Sequence, residues 1–316
     1  MKVLVTGADG FVGRHVVRRL LAGGHEVIGA RRPEGELAGP LPDPSLAGAR
    51  WVPLELHDEA SLADAAALDP DGVVHLAAVS STAEAAKAPV DAWTVNAIGV
   101  VRLLRAFAER RATGRGDPVV VLVSSAEVYG IGEPRPRRES DPVAPLTPYA
   151  ASKAAAEVAG LEAWRRTGLR VVVARPFQHT GPGQTTRFVL PAFAERLRAA
   201  RASGAGTVAT GNLTPVRDFL DVRDVASAYQ LLLERGIAGE TYNVARGNGV
   251  PLAELFARLA RIIGAKVEPV ADPALARRTD IPHLVGDPAR LRHTTGWTPV
   301  YTLDDMLRDI ADAEAH

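Results

Sequence analysis

Tyr149 and Lys153 stand four residues apart at the head of a helical stretch that runs to about Thr167. At that spacing both project from one face of a helix. An ammonium beside a phenol favours the tyrosinate, lowers its pKa and turns the phenol into a proton donor or acceptor usable near neutral pH. A tyrosine that packs beside a solvated lysine has the same spacing, so the surroundings decide. They include Val119–Val123, an all-apolar run that ends in Ser124-Ser125-Ala126-Glu127. Such a run reads as a central parallel strand, and it delivers a hydroxyl, Ser125, that could hold a carbonyl oxygen, next to a carboxylate, Glu127.

The element that would bring a second reactant to these groups is at the start of the chain. Val3-Leu4-Val5-Thr6-Gly7-Ala8-Asp9-Gly10-Phe11-Val12-Gly13 is an apolar strand that breaks into three glycines spaced three apart. Apolar residues then resume at helical spacing through Val16, Val17, Leu20 and Leu21. In such a turn Gly7 allows the tight bend, Gly10 lets the backbone approach a pyrophosphate, and Gly13 lets the helix sit close to the strand. The phosphates then meet unpaired N–H groups at the helix N-terminus. The spacing alone is weak; its place between strand and helix makes it a dinucleotide signal.

The second strand, His25–Ala30, is followed by Arg31-Arg32 where NAD enzymes usually carry an acid for the ribose hydroxyls. A guanidinium pair suits a 2′-phosphate, so NADP(H) is expected over NAD(H). Two solvated surface arginines would leave the same trace.

The global composition adds mostly exclusions. The 316 residues are 47% hydrophobic, enough for one large or two modest cores, and 37 basic side chains balance 37 acidic ones. Nothing global points to nucleic acid or to a membrane surface. The absence of cysteine removes disulfides, thiolate metal sites and Cys nucleophiles. The eight histidines show no metal-ligand spacing, so no metal is expected. A chain that opens directly on a strand, without a signal peptide or a long apolar run, suggests a cytoplasmic protein.

Between these landmarks strand and helix alternate. Pro33 to Arg50 reads as a loop, and Trp51–Leu54 as a third strand. Glu55-Leu56-His57-Asp58 follows, where a carboxylate could reach an adenine amino group; Asp58 could equally cap a helix over Glu59–Ala67. Val73–Ala78 is a fourth strand ending in small residues. A helix from about Pro89 to Arg111 aligns Trp93, Val100, Leu103, Leu104 and Phe107, and Asn96 within it is out of place unless it serves a site. After the sixth strand, Val171–Ala174, the alternation loosens: a turn at Gly181–Gly183 and helices near 189–202, 225–234, 252–263, 288–295 and 303–313 suggest a smaller lobe.

As an ordered set, Thr6-Gly7-x-x-Gly10-x-x-Gly13, His75-Leu76-Ala77-Ala78, Asn96, Ser125, Tyr149-x-x-x-Lys153, Arg175-Pro176-Phe177 and Arg217-Asp218-Phe219 resemble the extended short-chain dehydrogenase/reductases of the nucleotide-sugar branch. That branch comprises epimerases, dehydratases and 4-ketoreductases. The resemblance covers essentially the whole chain. Within it, Phe177–Gln184, Gly211–Asp224 and Arg277–Asp287 are similar to the phrases of GDP-6-deoxy-4-keto-D-mannose reductases. Two departures stand out: Gln178 where the family usually has Asn, and Ala126 where many dehydratases place an acid.

The resemblance implies a doubly wound α/β Rossmann sheet with a smaller C-terminal substrate lobe. Residues 1–176 with 214–246 would bind NADP, and residues 177–213 and 247–316 the nucleotide sugar. It implies catalysis by Ser125, Tyr149 and Lys153 with Glu127 adjacent, and diphosphate contacts by Arg217 and Arg277. Residues and resemblance together nominate Gly7, Gly10, Phe11, Val12, Gly13, Arg31, Arg32, Glu55, Leu56, Leu76, Ala77, Ala78, Asn96, Ser124, Tyr149, Lys153 and Pro176 for the cofactor. Ser80, Ser125, Gln178, Val189, Arg217 and Arg277 are nominated for the substrate. The expected reaction is NADPH-dependent reduction of a C4 ketone on a nucleotide-linked 4-keto-6-deoxyhexose. The alternatives are a 4-epimerase with retained NAD, a 4,6-dehydratase and a non-catalytic NADP-sensing protein. A homodimer through the two long helices after strands four and five is implied as well.

Overall fold

The computed structural model describes residues 1–33, 43–275 and 280–313. Seven parallel strands form the central sheet: β1 (Lys2–Thr6), β2 (Glu26–Arg31), β3 (Arg50–Pro53), β4 (Gly72–His75), β5 (Val119–Val123), β6 (Arg170–Pro176) and β7 (Thr241–Val244). Their order across the sheet is β7-β6-β5-β4-β1-β2-β3. The order reverses between β1 and β4, and ligands of doubly wound sheets bind in the crevice at such a reversal. The fourth strand stops at His75, and Leu76–Ala78 leave the ladder as irregular chain.

The apolar runs explain the burial. β4 and β5 have no exposed residue, because helices cover both faces of the sheet. On one face α1 (Phe11–Ala22) presents Val16, Val17 and Leu20 against Val225, Tyr229 and Leu232 of a helix over Val222–Arg235. On the other, α2 (Glu59–Ala67), α3 (Gly99–Ala112) and α4 (Pro148–Thr167) pack through Leu62, Leu103, Leu104, Phe107, Ala156 and Ala163. Each fully buried Leu or Phe side chain contributes about 1.5–3 kcal/mol.

The predicted helix over 89–111 forms, with one irregularity. Thr94–Ile98, between Pro89–Trp93 and α3, makes a π-helical turn with Asn96 inside it. Such turns recur at functional positions. Asp58 proves to be a cap: its carboxylate accepts the Ala60 N–H at 2.9 Å and opens α2.

The C-terminal lobe has its own core. Leu190, Phe193 and Leu197 of α5 (Val189–Ser203) meet Leu255, Phe256 and Leu259 of the helix Leu252–Ile263 and Met306, Leu307 and Ile310 of the helix Leu303–Asp312. Short strands that hydrophobic periodicity does not announce join it to the sheet. Gln178–Thr180 runs parallel to Phe219–Asp221, and Val216–Arg217 lies between Val250–Pro251 and His283–Leu284.

Candidate active site

At the end of β1 the chain has no room for side chains. Gly7 has φ +66°, and a Cβ there would lie 2.9 Å from the Ala77 nitrogen; a Cβ on Gly13 would lie 2.1 Å from the Gly7 oxygen. Gly10 begins α1 without a side-chain cap, and the first turn carries no acid, so its N–H groups remain available to an anion. This bare, positively polarised turn beside the backbone of Leu76 and Ala77 fits the pyrophosphate of a dinucleotide. Phe11 and Val12 sit in the first turn of α1, and Arg31 and Arg32 stand at the end of β2, one strand away. Leu56 is buried against Gly99, while the Glu55 carboxylate accepts the His57 N–H at 3.2 Å.

β5 continues one residue past its end, where the Ser124 N–H bonds the Ala174 oxygen of β6 at 2.8 Å. Ser125 then opens a single 3₁₀ turn, its hydroxyl accepting the Glu127 N–H at 3.2 Å. Facing this turn, α4 starts with Thr147, whose hydroxyl accepts the Ala150 N–H, and with Pro148 in its first turn. Those two signals fix the start of α4 so that Tyr149 comes to the Ser125 side chain and Lys153 is buried one turn further on.

The electrostatics differ from the sequence expectation in one respect. Burial, and then the Glu127 carboxylate, push the Tyr149 phenol well above its ordinary pKa, with the Ser125 side chain pulling the other way. Burial pulls Lys153 down to about 8, with the Glu157 carboxylate opposing. His75, at the end of β4, is held neutral by burial and by the Lys153 charge, its pKa lowered to about 3.

Several nominated residues work on their neighbours. Asn96 accepts the Val79 N–H at 2.8 Å and donates to the Val79 oxygen and to Ser152 Oγ, both at 3.0 Å, which ties the chain after β4 to α4. The Ser124 hydroxyl donates to Glu157 at 2.5 Å. Ala77 donates its N–H to Thr6 Oγ1, which also bonds His75 Nδ1. Ala78 follows in the irregular segment, and Pro176 is the last residue of β6.

The substrate nominations are more scattered. Ser80 is exposed in the loop after β4, and Glu127 receives the Thr82 hydroxyl at 3.4 Å. Gln178 begins the short strand after β6, and its buried amide oxygen has no acceptor role filled among the described residues. Val189 begins α5. Arg217 is pinned by Asp280 Oδ1 at 2.5 Å and the Ile281 oxygen at 2.6 Å. Arg277 lies outside the described residues.

Beneath the site lies a network that the nominations missed. Glu157 takes two of the three Arg175 guanidinium nitrogens; the guanidinium lies 4.8 Å over the Tyr129 ring, and the Tyr129 hydroxyl donates to Asn243 at 2.7 Å. The one local signal was the position of Glu157, four residues after Lys153 on the same helix.

A sequence profile of the NAD dependent epimerase/dehydratase family matches residues 3–245, which span the cradle and the Ser125, Tyr149 and Lys153 cluster. The chain belongs to this family. It is an NAD(P)-dependent oxidoreductase of the extended short-chain dehydrogenase/reductase type. Like other members of the epimerase/dehydratase family it has relatives with different named activities. It is 37% identical to a GDP-6-deoxy-D-mannose reductase of Pseudomonas aeruginosa, over 98% of this chain and 95% of that one. The solved structure of RMD from Pseudomonas aeruginosa complexed with NADPH superposes with a TM-score of 0.82 at 35% identity, covering 98% of this chain and 97% of that one. A UDP-glucose 4-epimerase from Thermotoga maritima, solved with UDP-glucose, superposes with a TM-score of 0.87 at 28% identity over 98% and 97% of the two chains.

Proposed function

We propose that this oxidoreductase uses NADPH to reduce the C4 ketone of a nucleotide-linked 4-keto-6-deoxyhexose. The observation that carries the reading is the Tyr149 phenol at Ser125, with Lys153 buried one helical turn further on and a glycine cradle at the end of β1, in a chain 37% identical to a GDP-6-deoxy-D-mannose reductase. NADPH, when bound, supplies the hydride. Gly7, Gly10 and Gly13 would hold its pyrophosphate, and Arg31 with Arg32 its 2′-phosphate.

The chain supplies the proton and the geometry. With its pKa raised, Tyr149 stays protonated at neutral pH and has a proton to give to the ketone oxygen. Ser125 donates to the same oxygen and fixes its direction. Lys153, charged at pH 7, stabilises the tyrosinate left behind, and Glu157 supports that charge. Arg217 and Arg277 would grip the diphosphate. Ala126, where many dehydratases place an acid, supports reduction over elimination of water.

The experiment is a substrate panel: GDP-4-keto-6-deoxymannose, dTDP-4-keto-6-deoxyglucose, and UDP-glucose with UDP-galactose, each followed at 340 nm with NADPH and NADH. Stoichiometric NADPH loss on a keto-sugar is expected. Interconversion of the UDP-hexoses without net cofactor change would replace this reading by epimerisation.

Residues 1–176 with 214–246 would then carry the cofactor, and residues 177–213 and 247–316 the sugar nucleotide. A cytoplasmic homodimer fits the reading. Val90, Trp93 and Val101 on the helices over 89–112, and Val158 on α4, are exposed apolar side chains on the two long helices expected to pair. Light scattering should report twice the 33.4 kDa chain mass, and Trp93→Arg with Val158→Arg should return it to one.

A further inference from the structure

Arg137 lies in the loop between the Ser125 turn and α4 and belongs to none of the sets above. Its side chain is only 5% exposed, yet Nε and one terminal nitrogen have no hydrogen-bond partner among the described residues. A buried guanidinium without acceptors destabilises a fold, and such groups are rare enough to need an explanation.

The backbone around it is firmly placed. The Arg137 N–H donates to the Val285 oxygen, and its oxygen accepts the Asp287 N–H and the Asn243 side-chain amide, all at 2.8 Å. Arg137 thus opposes Gly286 in a parallel bridge, and two residues earlier Leu284 opposes Arg217. Residues that oppose one another share a face, as do residues two apart on a strand. The register therefore puts Arg137 and Arg217 on one face of this small sheet. That face meets the chain leading to Gln178: a Cβ on Gly286 would lie 2.5 Å from the Phe177 ring.

The guanidinium itself rests on Gly132, where an added Cβ would lie 2.0 Å from a terminal nitrogen. The nearby acids are engaged elsewhere. Asp141 holds Arg135 through both oxygens at 2.8 and 2.9 Å, and Asp280 holds Arg217. His283 also has a buried ring nitrogen without a partner among the described residues, and burial, then Arg137, then Arg217 lower its pKa below the ordinary imidazole value.

We propose that Arg137 is a second guanidinium ligand for the diphosphate of the substrate, acting beside Arg217. The proposal rests on the nucleotide-sugar reading given above. It explains why two nitrogens of a buried cation lack acceptors among the described residues: the anion that satisfies them arrives with the substrate, and Gly132 is bare so that the guanidinium can lie there.

The test uses the full-length protein and calorimetric titration with GDP, UDP, dTDP and inorganic pyrophosphate, and separately with NADPH. For Arg137→Gln the nucleoside diphosphate that binds wild type, and pyrophosphate, should bind roughly 10–100-fold more weakly, as expected for lost charge-assisted hydrogen bonds. NADPH affinity should stay the same, and the free variant should melt at or above the wild-type temperature. Diphosphate affinity within twofold of wild type, or an equal loss of NADPH affinity, would overturn the proposal while leaving the reductase reading intact. Wild-type protein that binds no nucleoside diphosphate would sink the nucleotide-sugar reading itself. If Arg137→Gln does not fold, Gly132→Ala carries the same test, because it keeps the charge but forces the guanidinium to move.

Discussion

Glu157 stands one helical turn beyond Lys153 and holds the buried Arg175 guanidinium through two hydrogen bonds of 2.9 and 2.6 Å. The same carboxylate takes the Ser124 hydroxyl and supports the charge on Lys153. One side chain therefore joins β5, β6 and α4 under the reacting groups. Glu157→Gln keeps the shape but removes the charge opposite Arg175. A broken buried pair costs about 3–5 kcal/mol, so the urea midpoint should fall sharply. A loss below about 1 kcal/mol would mean that the pair is not holding these elements together.

Tyr149→Phe should bind NADPH as wild type does and lose roughly 10²–10⁴-fold in kcat on the keto-sugar identified by the panel, the usual worth of a general acid. Near-full activity in this variant would remove Tyr149 from the proton-transfer step.

His75 makes stability depend on acid. Its folded pKa of about 3 lies below the ordinary 6.5, so the unfolded chain binds a proton that the native chain refuses. The sign follows: the contribution is complete above pH 6.5 and is lost as pH falls toward 3, at about 1.4 kcal/mol per unit within that window. Urea unfolding at pH 7, 6, 5 and 4 should show this slope, and His75→Gln should flatten it. Equal slopes in the two proteins would contradict the neutral, buried assignment.

Arg31→Ala with Arg32→Ala should raise the KM for NADPH roughly 10–100-fold and change the KM for NADH little, since only the former carries a 2′-phosphate. Equal effects on both cofactors would show that the arginines serve the surface and not the ligand.

Much of this architecture can be read from local pattern. Val3–Val5 and Val119–Val123 are buried on both faces and say so by composition, and the bare turn at Gly7, Gly10 and Gly13 follows from sterics alone. Tyr149 and Lys153 were legible because one helix carries both. What escaped depends on pairs far apart in the chain. Tyr129 finds Asn243 across 114 residues, and the two-residue strand Val216–Arg217 is too short for periodicity to register. Arg137 has no local signal of burial among its prolines and charges; the bridge to Gly286 shows that it is inside. The raised Tyr149 pKa was equally hidden, because a helix face reveals which charge is near but not how much water has been lost.

Asp218 is fully buried, with burial raising its pKa to about 6, and its carboxylate collects the N–H groups of Arg246, Gly247 and Gly286. These donors come from segments up to 68 residues away in sequence. The C-terminal lobe is consequently not a cassette that can be cut out and exchanged. Grafting the sugar-binding part of a relative onto this sheet means rewriting the chain near 177, 218, 246 and 286 at once. A graft that changes one of these crossings alone would strand the amides or the carboxylate on the other side.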